Sequence, residues 1–317
     1  MKNRELSLKA TRFGYGEGLV ELGKKNANVV VLGGDLTNST AANLFRERFP
    51  DRFFSIGIAE QNMMTMAAGL SLTGKIPFIS TYCVFSAGRA WDQLRTTVAY
   101  GNLNVKVGGA HSGVSVGPDG ATHQGLEDIA TTRCLPNVVV SAPCDAIEAK
   151  KSTIAIGKLS GPSYIRFGRE PVPLLTTEKT PFQFGKAILF REGTDCIIVA
   201  CGYMVYYSLL AAEKLEEEGL SVGVLNLHTI KPIDEEAIVE CAEKVGCLVT
   251  AEEHQIMGGM GSAVAEVIAR TFPVPMEFIG IQDRFGESGQ PEELMEEFNL
   301  GVEDMVLAVK KAIKRKS

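Results

Sequence analysis

The strongest constraint on the fold is an alternation of short apolar runs with helix-forming segments, which occurs twice along the chain. In the first half, Val29-Val30-Val31-Leu32 leads into Gly33-Gly34-Asp35, as expected of a buried parallel strand that ends in a loop. In the second half, residues 195–202 show the same pattern and also end in glycine. Strands that alternate with helices pair in parallel, so the sequence predicts an α/β protein with two parallel-sheet-based domains.

A segment without periodicity separates the two halves. Residues 168–183 are rich in proline and threonine, which is typical of a linker. We therefore expect one domain over residues 1–175, a linker over residues 176–190 and a second domain over residues 191–317.

Composition argues against several classes of protein. With 317 residues, 45% hydrophobic and 22% charged, the chain has the balance of a globular enzyme rather than of a disordered protein. It contains no run of roughly 18 apolar residues, so we expect no membrane span. A net charge of −6 argues against a nucleic-acid-binding face. Seven cysteines without CxxC spacing, and a start without the apolar block of a secretion signal, indicate a reducing, cytoplasmic location.

Glu60 lies where an apolar stretch, Ser55-Ile56-Gly57-Ile58-Ala59, runs into a predicted helix. Parallel sheets bind ligands beyond the carboxyl ends of their strands, so we expect a site among loops of this kind. One interpretation is an acid in the first helical turn, where the helix dipole favours it. The other is a partly buried glutamate that exchanges a proton with a ring nitrogen, its pKa raised by apolar neighbours. The residue pattern leaves both open.

A glycine-rich loop over residues 109–125 is the second candidate. It holds His111, His123, one aspartate and five glycines in seventeen positions. Glycines let a backbone approach a ligand closely, and histidines exchange protons near neutral pH, so we predict a functional loop. The two histidines are twelve residues apart, the loop has no cysteine and no HExxH motif occurs, so a zinc site is not expected.

Three arginines, Arg12, Arg166 and Arg169, suit a phosphate because guanidinium matches its oxygens. Each of them, taken singly, also fits a solvated or structural arginine. Tyr82 and Phe85 follow a predicted strand end, where composition alone favours core packing.

Longer motifs give the chain a family resemblance: it resembles the carboxy-terminal half of a transketolase over nearly its whole length. Residues 55–62 resemble the segment with the glutamate that activates thiamine diphosphate. Residues 111–124 resemble the substrate loop of transketolases, and residues 164–170 their phosphate-contact strand. Residues 195–234 and 252–262 resemble the terminal domain of that family.

The resemblance implies a cofactor site and a substrate site. Glu60 would be catalytic by hydrogen-bonding the ring nitrogen N1′ of thiamine diphosphate, and Tyr82 and Phe85 would hold the pyrimidine ring. The residues implied near the reacting carbonyl and hydroxyls of the sugar are His111 and His123, as catalytic groups, and Asp119. The residues implied at the acceptor's phosphate are Arg12, Ser39 and Arg169, with Arg166 as a further candidate. Asp35 matches a position near the subunit interface.

One departure from the family pattern concerns the metal-bound end of the cofactor. Thiamine enzymes hold the diphosphate through Mg²⁺ with Gly-Asp-Gly and a downstream asparagine, whereas Gly34-Asp35-Leu36 lacks the second glycine. We therefore expect no metal ligand in this chain. The diphosphate and Mg²⁺ would be bound by a separate N-terminal transketolase subunit, and the two chains would form a split α₂β₂ transketolase acting on sugar phosphates.

Three alternatives remain open. A deoxyxylulose-phosphate synthase fragment shares the Asp-Gly-x-Thr-His-Gln pattern of residues 119–124, but the resemblance gives it no counterpart of His111. The β subunit of a 2-oxo acid dehydrogenase is a second alternative, which Thr122-His123-Gln124 fits less well. A catalytically silent scaffold subunit would keep the fold and the interface without the chemistry. We interpret His254, in the second domain, as structural or close to an interface.

Overall fold

The computed structural model describes residues 7–316. In its first half, the helices and strands alternate as the sequence predicts. The strands are β1 (Leu8–Ala10), β2 (Val29–Gly33), β3 (Phe53–Ser55), β4 (Ile76–Tyr82), β5 (Lys106–Ala110), β6 (Val139–Ser141), β7 (Ser163–Arg166) and β8 (Pro171–Pro173). The α-helices are α1 (Thr11–Lys25), α2 (Asn43–Arg48), α3 (Glu60–Leu72), α4 (Trp91–Gln93), α5 (Asp128–Arg133) and α6 (Ala146–Ile156). Two π-helical segments, Val84–Arg89 and Leu94–Ala99, flank α4.

The second half repeats the alternation around a smaller sheet. Its strands are β9 (Ile188–Arg191), β10 (Cys196–Ala200), β11 (Val222–Asn226), β12 (Thr229–Lys231), β13 (Leu248–Gln255) and β14 (Met276–Ile281). Its helices are α7 (Met204–Glu217), α8 (Glu235–Val245), α9 (Met260–Arg270), α10 (Pro291–Glu297) and α11 (Val302–Lys314).

Two parallel-based sheets organise these elements. The first has the strand order β12-β6-β7-β5-β4-β2-β3, and only β12 runs antiparallel to its neighbour. The second has the order β14-β13-β10-β11-β9, with β9 antiparallel to β11. The predicted α/β fold with two parallel-sheet-based domains is thereby confirmed.

The connections between the domains are more ordered than a linker would be. Strand β8 lies within the aperiodic segment 168–183 and pairs with β1, and strand β9 begins at Ile188, inside the predicted linker. Strand β12 comes from the second half of the chain yet completes the first sheet. The domain limits themselves stay predictions.

Helix α1 packs closely on helix α6, and glycine makes this approach possible. A Cβ at Gly14 would lie 1.9 Å from the carbonyl oxygen of Ala146, so no larger residue fits there. The α6 N-terminus is capped, because the Asp145 side chain accepts a hydrogen bond from the Glu148 amide.

Within residues 7–316, we find no helix with the length and apolar character that crossing a bilayer requires.

Candidate active site

Glu60 begins helix α3 and is buried, with 2% of the residue exposed. Its Oε2 accepts a hydrogen bond from Nη1 of Arg89 at 2.8 Å. Its Oε1 is also buried, and no other group in the described part of the chain hydrogen-bonds to it. The structure thus places Glu60 in a first helical turn and buries its carboxyl, with one oxygen lacking a partner among the described residues, while proton exchange with a ring nitrogen stays a prediction.

Four rings gather beside the carboxyl ends of β4 and β5. Tyr82 stacks on His111 with ring centroids 3.8 Å apart, and Phe85 lies 5.8 Å from Tyr82. His123 meets both Tyr82 and Phe85 edge-on, at 5.8 and 5.7 Å. The Arg89 guanidinium lies 4.5 Å from the centre of the Phe85 ring, so this aromatic cluster reaches the partner of Glu60. Tyr82 is therefore both a core residue, as composition suggests, and a wall of the candidate site.

His111 is held in an unusual backbone conformation, with φ of 57°, which non-glycine residues adopt rarely outside turns and functional sites. Its ring nitrogen Nδ1 is buried and without a partner in the described chain. Burial, and then the charges of Arg12 and Arg169, lower the pKa of His111 to about 3. The imidazole is therefore neutral at pH 7 and suited to hydrogen bonding rather than to carrying charge.

Two arginines, Arg12 and Arg169, lie near enough to the ring cluster for their charges to act on His111. Arg12 donates from Nη1 to the carbonyl oxygen of Ser39 at 3.2 Å, and its buried Nε has no partner among residues 7–316. Arg169 donates to the carbonyl oxygen of Val116 at 2.8 Å and lies 3.4 Å from Asp119. Burial, and next the charge of Arg169, lower the pKa of Arg12. Two guanidinium groups that repel one another are a suitable place for an anion such as phosphate.

The contacts of Arg166 favour the structural interpretation of this arginine over phosphate binding. The side chain is buried, and its Nε contacts both carboxylate oxygens of Asp128, at 3.1 and 3.0 Å. Its Nη2 donates to the carbonyl oxygens of Gly125 and Glu253. The pairing was hidden in the sequence because Asp128 is 38 residues away. Arg166 therefore joins the two domains, since its contacts include the Glu253 carbonyl oxygen of the second one.

The remaining predicted residues lie as follows. His123 is half-buried and shares a 2.8 Å hydrogen bond with the Thr122 hydroxyl, and Asp35 is exposed with φ of 65°. His254 is buried, donates from Nδ1 to the Gln255 carbonyl oxygen and accepts at Nε2 from the Ala130 amide, which makes it structural. Among residues 7–316 there is no group of three His, Cys, Asp or Glu side chains placed to hold a metal ion.

Sequence reasoning missed Arg89. It is separated from Glu60 by 29 residues and lies at the end of a π-helical segment. A π-helical turn shifts the direction of its side chains relative to an α-helix, so helical periodicity could not place Arg89 opposite Glu60.

Comparison with known proteins gives the same architecture. The family model described as transketolase, pyrimidine binding domain, matches residues 8–173, and the one described as transketolase, C-terminal domain, matches residues 185–305. The chain is 45% identical over 310 residues to a "putative transketolase C-terminal section" of Methanocaldococcus jannaschii, and the match covers 97% of each protein.

Two further similarities are close. A 6-deoxy-6-sulfo-D-fructose transketolase subunit of Clostridium sp. is 40% identical, over 96% of this chain and 94% of that protein. A solved structure described as a split gene transketolase, inactive beta4 tetramer, superimposes with a TM-score of 0.91 at 46% identity, over 97% of this chain and 99% of that one. The chain therefore belongs to the transketolase family, of which it comprises the pyrimidine-binding and C-terminal domains.

Proposed function

We propose that this chain is the C-terminal subunit of a thiamine-diphosphate-dependent transketolase. It transfers a two-carbon ketol unit between sugar phosphates when paired with a separate N-terminal subunit that binds the diphosphate and Mg²⁺. The assembly is an α₂β₂ heterotetramer in the cytoplasm.

The observation that carries the proposal is the free oxygen of Glu60. A buried carboxylate oxygen without a hydrogen bond costs free energy, unless a ligand supplies the missing donor. The ring nitrogen N1′ of an aminopyrimidine fits this oxygen, because it donates when protonated and accepts when the Glu60 carboxyl carries the proton. Phe85 and Tyr82 offer aromatic surface next to it, which suits a flat heterocycle. The residues present therefore fit the pyrimidine end of thiamine diphosphate.

When bound, thiamine diphosphate supplies the nucleophilic carbon and the electron sink that carbon–carbon bond cleavage needs. The protein's own groups do the rest. Glu60 shares a proton with the ring nitrogen N1′, and Arg89 fixes the direction of its carboxyl group through the 2.8 Å contact. His111, neutral at pH 7, and His123 contact the carbonyl and hydroxyl oxygens of the sugar.

The substrate end of the proposal rests on charge. Arg12 and Arg169 bind the terminal phosphate, with Ser39 beside Arg12, and Asp119 accepts a hydrogen bond from a sugar hydroxyl. The Clostridium relative is named for a sugar that carries a sulfo group instead. Both anions are tetrahedral and rich in oxygen, so the arginine pair does not by itself select the sugar.

The need for a partner subunit is supported by the similar solved structure, which is described as an inactive beta4 tetramer of a split gene transketolase. The test is reconstitution of the chain with the N-terminal transketolase subunit in the presence of Mg²⁺ and thiamine diphosphate. We expect the pair to convert xylulose 5-phosphate and ribose 5-phosphate, and either chain alone to be inactive. Pyruvate decarboxylation by the pair would favour a deoxyxylulose-phosphate synthase, lipoyl-domain binding a 2-oxo acid dehydrogenase, and complete inactivity a scaffold subunit.

A further inference from the structure

The second sheet has a crevice of the kind in which α/β proteins bind ligands, and a segment of the first domain occupies it. Strand order reverses between β10 and β13, and α/β sheets bind ligands in the crevice at such a point. Here residues 112–115 of the first domain enter that crevice. They leave only a cavity of about 30 Å³ beside Gly202, Tyr203 and Glu253. We call residues 111–125 the substrate loop from here on.

Glu253 holds the beginning of the substrate loop. Its Oε1 accepts a hydrogen bond from the Ser115 amide at 2.5 Å, and both groups are buried. Gly113 lies directly on the same carboxylate, because a Cβ added there would come within 2.1 Å of the Glu253 Cδ. Gly113 has φ of 86°, so both its conformation and its contact require glycine.

The backbone of residue 253 is linked to the end of the loop through Arg166. The Arg166 Nη2 donates to the Glu253 carbonyl oxygen at 2.7 Å and to the Gly125 carbonyl oxygen at 3.0 Å. The ion pair with Asp128 fixes the guanidinium plane at its other side. The Glu253 carboxylate thus contacts the beginning of the segment that carries His111, Asp119 and His123, while its backbone carbonyl is linked through Arg166 to the end.

A second part of the C-terminal domain supports the middle of the loop. Gln124 donates to the carbonyl oxygens of Val114, Gly117 and Glu287, the last at 2.8 Å. A Cβ at Gly120 would lie 2.4 Å from the Ser288 hydroxyl. The loop therefore has its shape set by contacts from the C-terminal domain on two sides.

We propose that Glu253 is a positioning residue for the reaction, holding the substrate loop so that His111 and Asp119 face the sugar. This inference deepens the proposed function and rests on it. It gives the C-terminal domain a defined part in substrate turnover.

The test compares two neighbouring glutamates on β13. Glu252 is buried like Glu253, but the hydrogen bonds of its carboxylate come from the Met260 and Gly261 amides of its own domain. In the reconstituted pair, we expect Glu253→Ala to lower kcat/KM for sugar phosphates about 100-fold, since misplacement of reacting groups by roughly 1 Å has this effect. Glu252→Ala should keep kcat/KM near the wild-type value. Thiamine diphosphate affinity should be unchanged in both.

A conservative variant and a second measurement separate positioning from folding. Glu253→Gln keeps an oxygen for the Ser115 amide and should recover activity to within about tenfold of wild type, given what one neutral hydrogen bond contributes. Hydrogen–deuterium exchange of this chain, with wild-type and variant proteins side by side, should be faster over residues 111–125 in Glu253→Ala only.

Three results would overturn the inference: unchanged exchange over the substrate loop, faster exchange with unchanged kcat/KM, or equal losses of kcat/KM in Glu252→Ala and Glu253→Ala. The exchange measurement requires no turnover. If the wild-type pair transfers no ketol unit, the proposed function fails and the catalytic part of this inference with it, while exchange still decides whether Glu253 holds the loop.

Discussion

Glu60 and Glu252 are both buried glutamates near the carboxyl edge of a parallel sheet, one in each domain, and they differ in their hydrogen bonds. Both oxygens of Glu252 accept from backbone amides in the first turn of α9. Glu60 has one side-chain partner, and its other oxygen has none within the described residues. Burial and residue type are the same in the two regions, so unfilled hydrogen-bonding capacity is what distinguishes a site residue from a structural one here.

The largest effect is expected from Glu60→Gln, which keeps the shape of the side chain but cannot exchange the proton. We predict that kcat of the reconstituted pair falls by about 10³ or more, as loss of a general acid–base group implies. Steady-state turnover of xylulose 5-phosphate and ribose 5-phosphate measures this. The variant should still associate with the partner in analytical ultracentrifugation. Turnover close to wild type would mean that the unpartnered oxygen does not set Glu60 apart from the structural Glu252.

A smaller loss, about 100-fold in kcat/KM, is expected from His111→Asn, because one preorganised hydrogen-bonding group at the reacting oxygens is lost. The wild-type pH profile sharpens this prediction. Since the pKa of His111 is lowered to about 3, its protonation cannot produce an acid limb between pH 5 and 8. The shape of kcat/KM against pH should therefore be the same in wild type and variant. An acid limb that disappears only in the variant would contradict the neutral imidazole.

The next prediction concerns Glu148, a buried carboxyl at the contact between the domains whose two oxygens both have hydrogen-bond partners. It accepts from the Cys144 amide and from Nδ2 of Asn226, and burial raises its pKa to about 7. The unfolded chain ionises near pH 4.5, whereas the folded chain keeps the proton up to about pH 7. The free energy of unfolding should therefore fall as pH rises through this window, on the order of 3 kcal/mol for this group.

Glu148→Gln should abolish that part of the pH dependence. The new amide can be satisfied if the Asn226 amide turns over, because its Oδ1, which has no partner among the described residues, then takes the place of Nδ2 and accepts from the substituted side chain. Urea unfolding at pH 5, 6, 7 and 8 gives the slope for both proteins. Parallel slopes in wild type and variant would show that Glu148 is ionised in the fold.

The smallest effect is expected at the exposed edge of the domain contact. Arg133 in α5 makes a two-pronged contact with Glu266 in α9, at 3.1 and 2.6 Å, and the Glu266 side chain is 59% exposed. Such pairs contribute about 1 kcal/mol or less in water. Glu266→Gln should lower the free energy of unfolding by no more than this, and the effect should shrink in high salt. A loss as large as that of a buried pair would mean that exposure is a poor guide here.

The fold was predictable because its signal is local. Apolar runs such as residues 29–32 predict buried strands, and Asp145 is of a residue type that favours the N-cap position it occupies in α6. Pairing between distant segments is not local. Nothing in Thr229–Lys231 shows that this strand joins the first sheet beside β6, and two prolines in Pro171–Pro173 conceal a short strand.

The site was predictable only in part, for the same reason. Glu60 and the substrate loop carry motifs within a few residues, so their importance can be inferred from the chain itself. The roles of Arg89, Arg166 and Glu253 depend on partners far along the sequence, namely Glu60, Asp128 and Ser115. A motif can identify a candidate residue, but only its three-dimensional contacts show whether it is free to bind a ligand or is held in structural hydrogen bonds.

The position of strand β12 limits how the two domains can be separated. Because it belongs to the second half of the chain but hydrogen-bonds to β6, cutting the chain between the domains would leave β6 as a bare edge and β12 as an unpaired ribbon. Open sheet edges of this kind recruit other strands and lead to aggregation. The two halves should therefore melt together in a single transition, and neither is a safe truncation product for expression.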